Sequence, residues 1–304
     1  MINSGGGRTT PFRHPGLTVE STRMKIGAHV SAAGGVSNAP KNAAALGLEC
    51  FQFFSRPPQS GRTPELSDDE VRRFRGACDG HGFDECFIHA PYIINLASAE
   101  RRIRDNSVRL LREELERGSR LGVTGMMTHL GSARDVGQET ALQSVAEGLR
   151  RILDDYDGPT RLIIENSAGA GMIIGDEFEE ISDILDRIGD SRVGVCLDTA
   201  HALASGYDLR TPETVAETME RFDRTIGLGR LLVIHTNDSK IELGGHKDLH
   251  EHIGLGHIGL AGFRSILANP AFADLCLILE TPVDGVADDI KTLKSIRQAV
   301  WKGK

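Results

Sequence analysis

The sequence predicts a closed (β/α)8 TIM barrel, on three observations. Short apolar runs alternate with amphipathic helical stretches from Lys25 onward, and eight such units fit a chain of 304 residues. The runs are also continuously apolar, as strands buried on both faces of a parallel sheet are. An open doubly wound sheet would instead carry a GxGxxG turn after its first strand. AHVSAAGGVSNA has Gly34 and Gly35 without that spacing.

The elements follow in order. KIGAHV opens the series as a strand and PKNAAALG as its helix; CFQFFS is followed by SDDEVRRFRGACDG, and CFIHA by RDNSVRLLREELERGSRLG. MMTHL precedes ETALQSVAEGLRRILDDY, RLIIEN precedes DEFEEISDILDRIG, and VGVCLD precedes PETVAETMERFDRTIG. LLVIHTND with GLAGFRSILAN and LCLILET with DDIKTLKSIRQAV complete eight units. Ser67 with Glu70 has the spacing of a capping box, and Thr211 before Pro212 marks another helix start. Residues 1–23, rich in Gly, Thr, Arg and Pro and without the apolar centre of a signal peptide, are expected to be a disordered extension, leaving 24–304 as one catalytic barrel.

Composition narrows the function classes. No apolar run approaches the roughly 18 to 20 residues of a membrane span. Five scattered cysteines, Cys50, Cys78, Cys86, Cys196 and Cys276, suggest neither a disulfide framework nor a CxxC metal site, and fit a reducing cytoplasm. A formal charge of −8 argues on its face against a nucleic-acid partner.

Chemistry in such a barrel sits at the C-terminal strand ends. There the sequence places His29, His89, His129, Glu165, Asp198 with His201 just beyond, His235 and Glu280. Taken singly, a histidine near a strand end is more often a hydrogen-bonded structural residue. Converging on one mouth, they would go unsatisfied without cations, because a buried carboxylate must be paired or bound to metal. A multinuclear site follows, and His, Asp and Glu without Cys suit Zn²⁺ or Mn²⁺.

The stretch GGHKDLHEHIGLGHIG, residues 244–259, adds four histidines and an aspartate whose spacing alone does not say which of them bind. Together with GAHVSAAGG, HAPYIINL, ENSAGAG, GVCLDTAHALASGYDL, IHTNDSK and ILET, it resembles the endonuclease IV family, metal-dependent apurinic/apyrimidinic (AP) endonucleases of base excision repair. The likeness runs from Lys25 to about Glu280.

That resemblance implies three Zn²⁺ per chain, with Mn²⁺ an alternative at one or more positions. It assigns His89, His129 and Glu165 to the first ion, Glu165, Asp198, His235 and Glu280 to the second, and His201, Asp248 and His250 to the third. Glu165 and Glu280 would be catalytic, acting with hydroxide to cut the phosphodiester 5′ to an abasic site. Double-stranded DNA with abasic sites or blocked 3′ ends would be the partner of a monomer. Four ligand carboxylates against three divalent ions leave the mouth at +2, which weakens the objection from net charge.

For DNA contact the resemblance points to Tyr92 and Ile93 as wedges. In the loop after the second strand, Gln59 stands where the family carries an intercalating arginine and Gly61 where it carries a ring; Arg56 or Arg62 would substitute. His246 and Leu249 replace family arginines, with His246 a weaker phosphate contact, while His252 and His257 are expected to be supporting or surface residues. Arg72, Arg73, Arg75, Arg101, Arg102 and Arg104 read as solvated helix faces. A divalent-metal sugar isomerase or epimerase of the same barrel superfamily is the rival, needing one or two ions. A catalytically silent nucleic-acid binder is the third possibility.

Overall fold

The computed structural model describes residues 23–59 and 64–301. The extension expected before Met24, apart from Arg23, therefore lies outside the described residues, as do Gly61 and Arg62. The barrel strands are β1 (Lys25–His29), β2 (Cys50–Phe53), β3 (Cys86–His89), β4 (Gly125–Thr128), β5 (Arg161–Glu165), β6 (Gly194–Asp198), β7 (Leu231–His235) and, eighth around the ring, β10 (Cys276–Leu279). Between them run α1 (Asn38–Ala45), α2 (Asp68–His81), α3 (Arg101–Leu121), α4 (Gln138–Leu153), α5 (Phe178–Ile188), α7 (Pro212–Thr225), α8 (Gly259–Ala268) and α9 (Val286–Trp301). All neighbouring barrel strands are parallel, in ring order β1-β10-β7-β6-β5-β4-β3-β2. The chain folds as the expected TIM barrel, each predicted strand and helix overlapping an observed one.

Short elements escape the sequence pattern. A short helix, α6 (Thr199–Ala204), begins directly at the end of β6, and a two-stranded antiparallel ribbon joins β8 (Asp238–Ser239) to β9 (His250–Glu251). These pieces are too short for periodicity to reveal.

Helix starts follow local chemistry. Thr211 forms a capping box with Thr214, and Pro212 enters the first turn of α7. Ser67 caps α2 by accepting the Glu70 N–H (3.2 Å), but the expected box does not close. Glu70 turns its carboxylate to the Ser37 N–H (2.9 Å) and to Arg73, which ties the loop after β1 to α2.

Strand parity organises the barrel interior. Cys50, Phe87, Met127, Ile163, Cys196, Val233, Cys276 and Ile278 form an inner plug, each at most 1% exposed. Alternate residues on a strand share a face, so the position two residues after a plug residue points into the same bore one layer higher. Phe87 thus lies below His89, Met127 below His129, Ile163 below Glu165, Cys196 below Asp198, Val233 below His235 and Ile278 below Glu280. Outward residues such as Phe51, Phe53, Ile88, Leu197 and Leu279 pack under the helices in the larger core. All five cysteines are buried and free. None of the helices described is long and apolar enough to cross a membrane.

Candidate metal centre

Above the plug the polar strand ends meet in three groups of donors: His89, His129 and Glu165; Glu165, Asp198, His235 and Glu280; and Asp198, His201 and His250. Glu165 and Asp198 each belong to two groups. Glu165 divides its oxygens, Oε2 lying 3.1 Å from His89 Nε2 and 3.6 Å from His129 Nε2, and Oε1 2.8 Å from His235 Nδ1. His235 Nδ1 is also 3.1 Å from Glu280 Oε2. Asp248 closes the third group, with Oδ1 3.2 Å from His201 Nε2 and 3.4 Å from His250 Nε2. Asp198 Oδ2 stands 3.6 Å from that same His250 nitrogen, so it leans on the third group as well as the second.

The imidazoles are aimed by the nitrogen that does not face the cluster. His89 Nδ1 pairs with the Ala90 carbonyl (2.7 Å), His201 Nδ1 with the Asn166 carbonyl (2.9 Å), and His250 Nδ1 with the Glu280 carbonyl (3.3 Å). Each bond assigns the proton to Nδ1 and leaves Nε2 free as a donor to a cation. For His235 the geometry is reversed: Gln52 Oε1 accepts from Nε2 (2.8 Å), leaving Nδ1 toward the carboxylates.

The carboxylates are aimed in the same way. Asp198 caps α6 by accepting the His201 N–H (2.8 Å), so one turn of helix fixes two cluster residues at once. Asn237 donates Nδ2 to Asp198 Oδ2 (2.7 Å) and accepts the Glu280 N–H (2.7 Å), and Gln52 donates Nε2 to Glu280 Oε1 (2.7 Å). Gln52, Asn166 and Asn237 are residues that the sequence reading missed. Gln52 alone left a usable signal, a polar residue in a buried strand on the bore-facing parity of Cys50. His29 joins none of the donor groups; its Nδ1 meets Gln52 Nε2 (2.9 Å) and its ring packs on Phe54.

Charge is concentrated here. Burial works against ionising Glu165, but His129 and His235 beside it hold its carboxyl well below the usual range. Glu280 falls to about 2, burial being outweighed chiefly by His235, and Asp248 to about 2, burial being outweighed by His201. Burial would lower His201, yet Asp198, Asp248 and Glu165 raise it to about 10. His201 Nε2 and His250 Nε2 are nonetheless buried without a hydrogen-bond partner. Two orphaned imidazole nitrogens facing carboxylates fit a divalent cation, which needs such lone pairs and tolerates no N–H there.

Around the mouth, Tyr92 is 63% exposed and Ile93 38% exposed. The Tyr92 N–H bonds the Pro58 carbonyl (3.0 Å), joining the loops after β3 and β2. Gln59, His246 and Leu249 are exposed at loop positions, His246 with a left-handed φ of 48°. Arg56 corrects an expectation. It is 3% exposed and turned inward, its Nε on Glu114, which also accepts from Ser55 Oγ (2.6 Å). Reaching outward to a phosphate would strand a buried carboxylate, so Arg56 is an anchor of the loop. Arg56→Ala is accordingly expected to lower unfolding stability by about 3–5 kcal/mol, measured by denaturant titration; an unchanged midpoint would return Arg56 to the substrate-facing set. His252 pairs with Asp289 (2.8 Å). Arg72, Arg73, Arg101 and Arg102 pair with acidic neighbours, while Arg75 and Arg104 bond the Ser119 and Ser98 carbonyls.

Residues 40–299 match the family model described as a xylose isomerase-like TIM barrel. The chain is 42% identical over 277 residues to a protein of Chlorobium phaeovibrioides named "Probable endonuclease 4", covering 90% of this chain and 99% of that one. A protein of the same name from Natronomonas pharaonis is 40% identical over 275 residues, with 90% and 98% covered. The crystal structure of endonuclease IV from Thermus thermophilus superposes with a TM-score of 0.80 at 36% identity, over 92% of this chain and 100% of that one. A D-tagatose 3-epimerase-like protein shares the fold, with a TM-score of 0.72 at 20% identity.

Proposed function

The chain belongs to the endonuclease IV family, and from that premise we propose that it hydrolyses the phosphodiester 5′ to an abasic site in duplex DNA, leaving a 3′-hydroxyl and a 5′-deoxyribose phosphate. The observation that supports this most is the sharing of Glu165 and Asp198 between donor groups, which makes the three groups one contiguous site in an open mouth. Three Zn²⁺ are the proposed occupants: one on His89, His129 and Glu165, one on Glu165, Asp198, His235 and Glu280, one on His201, Asp248 and His250. Mn²⁺ is compatible with the same donors. When bound, such ions lower the pKa of a water from about 15.7 to about 7 and offset charge on phosphoryl oxygens.

The chain's own part is positioning. Glu165 and Glu280 stay ionised near neutrality and are locked by His89, His235 and Gln52. The reaction adds a water oxygen to phosphorus, breaks the bond to the 3′-oxygen and delivers a proton to that oxygen. Tyr92 and Ile93 serve as the wedge that unstacks the damaged step, where unstacking costs least. Gln59 and His246 face the duplex from the flanking loops, and Arg62, three residues after Gln59 in the sequence, is part of the same proposed contact. Removal of 3′-blocking groups uses the same phosphodiester chemistry and is part of the proposal, as are monomeric action, a cytoplasmic location and a role in base excision repair.

An epimerase would need one or two ions and would leave the orphaned nitrogens of His201 and His250 without a purpose. The deciding experiment is incision of a duplex carrying one abasic-site analogue, with metal counted in the same sample. Cleavage on the 5′ side, abolished by chelator and restored by Zn²⁺, is expected; an intact duplex after incubation with fully loaded protein would refute the proposal.

A further inference from the structure

The loop that delivers Asp248 and His250 belongs to no barrel strand, yet it is wound around a single carboxylate. Asp238, fully buried in β8, accepts five backbone N–H groups. Its Oδ1 takes those of Ser239 (2.8 Å) and Ile258 (2.9 Å), and its Oδ2 those of Gly254 (2.9 Å), Gly256 (3.0 Å) and Gly259 (3.2 Å). Converging main-chain N–H groups make a concavity for an anion; here the anion is the protein's own side chain.

The glycines permit the approach. A Cβ at Gly256 would lie 2.5 Å from Asp238 Oδ1 and 2.4 Å from the Ser239 carbonyl oxygen, while Gly254 and Gly259 adopt φ of 87° and 69°. The same residue starts the ribbon in which Asp238 faces Glu251 and Ser239 faces His250. From the opposite side Asp289 accepts the Ile253 N–H (2.9 Å), His252 Nδ1 (2.8 Å) and Thr281 Oγ1 (2.6 Å), and Thr281 directly follows Glu280. The loop is thus held from within by Asp238 and tied by Asp289 to the strand end that carries Glu280.

We propose that Asp238 is the positioning residue of the Asp248/His250 pair: its carboxylate holds the loop so that both donors converge on His201, and without it the third ion alone is lost. This inference rests on the three-ion reading above. Asp238→Asn tests it, because an amide offers one acceptor oxygen and one NH₂, and either orientation sets N–H against two or three N–H donors. Gly256→Ala attacks the same contact from the loop side.

Zn²⁺ per chain is counted after dialysis against limiting Zn²⁺, alongside amide hydrogen exchange over residues 252–259. Three ions in the wild type and two in each variant are expected, with faster exchange at Gly254, Gly256, Ile258 and Gly259 and a third-ion Kd weakened about 10–100-fold. Excess Zn²⁺ should refill the site and recover incision. Three ions at wild-type affinity in both variants would overturn the role of Asp238, as would a parallel loss of all three. A wild type holding fewer than three ions would instead overturn the three-ion reading itself.

Discussion

Glu165→Gln is expected to reduce incision by about 10³-fold or more while the barrel stays folded. Each oxygen of Glu165 faces a different donor group, Oε2 toward His89 and Oε1 toward His235. The amide removes the charge and turns one of those oxygens into an N–H donor, which repels a cation. Metal content should fall by at least one ion per chain, and kcat should fall with kcat/KM, since the lost interaction is made in the transition state. Unchanged circular dichroism with lost turnover is the expected pair of results; wild-type turnover would remove Glu165 from the chemistry.

The second large effect is a reversal of pH dependence by metal. In the metal-free protein, His201 is raised to about 10, against burial, by Asp198, Asp248 and Glu165, and His235 is raised as well. A histidine whose pKa is raised on folding contributes stability that is fully present below its unfolded value, about 6.5, and is lost as pH rises through the folded value. Glu280 and Asp248, depressed to about 2, contribute stability present above the ordinary carboxylate range and lost only as pH falls toward 2. Between pH 6.5 and 9 the carboxylate contributions are therefore constant, and the metal-free protein should lose stability as pH rises. Cations take the place of these protons, so loading releases protons and its apparent affinity rises about tenfold per pH unit for each proton displaced. Thermal unfolding with and without chelator from pH 6 to 9 should give slopes of opposite sign. A metal-free protein that grows more stable over this range would contradict the pairing of His201 with its carboxylates.

The barrel was legible because its strands are continuous apolar runs and because the polar residue closing each run falls at one end. His89, Glu165, Asp198, His235 and Glu280 announce themselves in that way, each ending or directly following a strand that is buried along most of its length. What stayed hidden depends on closure of the ring. Gln52 reaches Glu280 across 228 residues and His235 across 183, and no local pattern records such a meeting. Arg56 reads as available from its place in the loop after the second strand; its partner Glu114 lies on the inner face of α3, fifty-eight residues later. Asp238 closes the run LLVIHTND with no local sign of its part, since four of the five N–H groups it gathers come from a segment 16 to 21 residues downstream. The glycines there let main chain close on a carboxylate.

The plug beneath the cluster also governs traffic. Eight side chains at 0–1% exposure stop the bore immediately below the donors, and His129 and Asp248 on the upper rim are the more accessible ones. Ions, water and a scavenging chelator must then share one doorway with the substrate. On the proposed function, a duplex lying across that doorway would also act as a stopper, holding the ions beneath it in place until the cut strand departs.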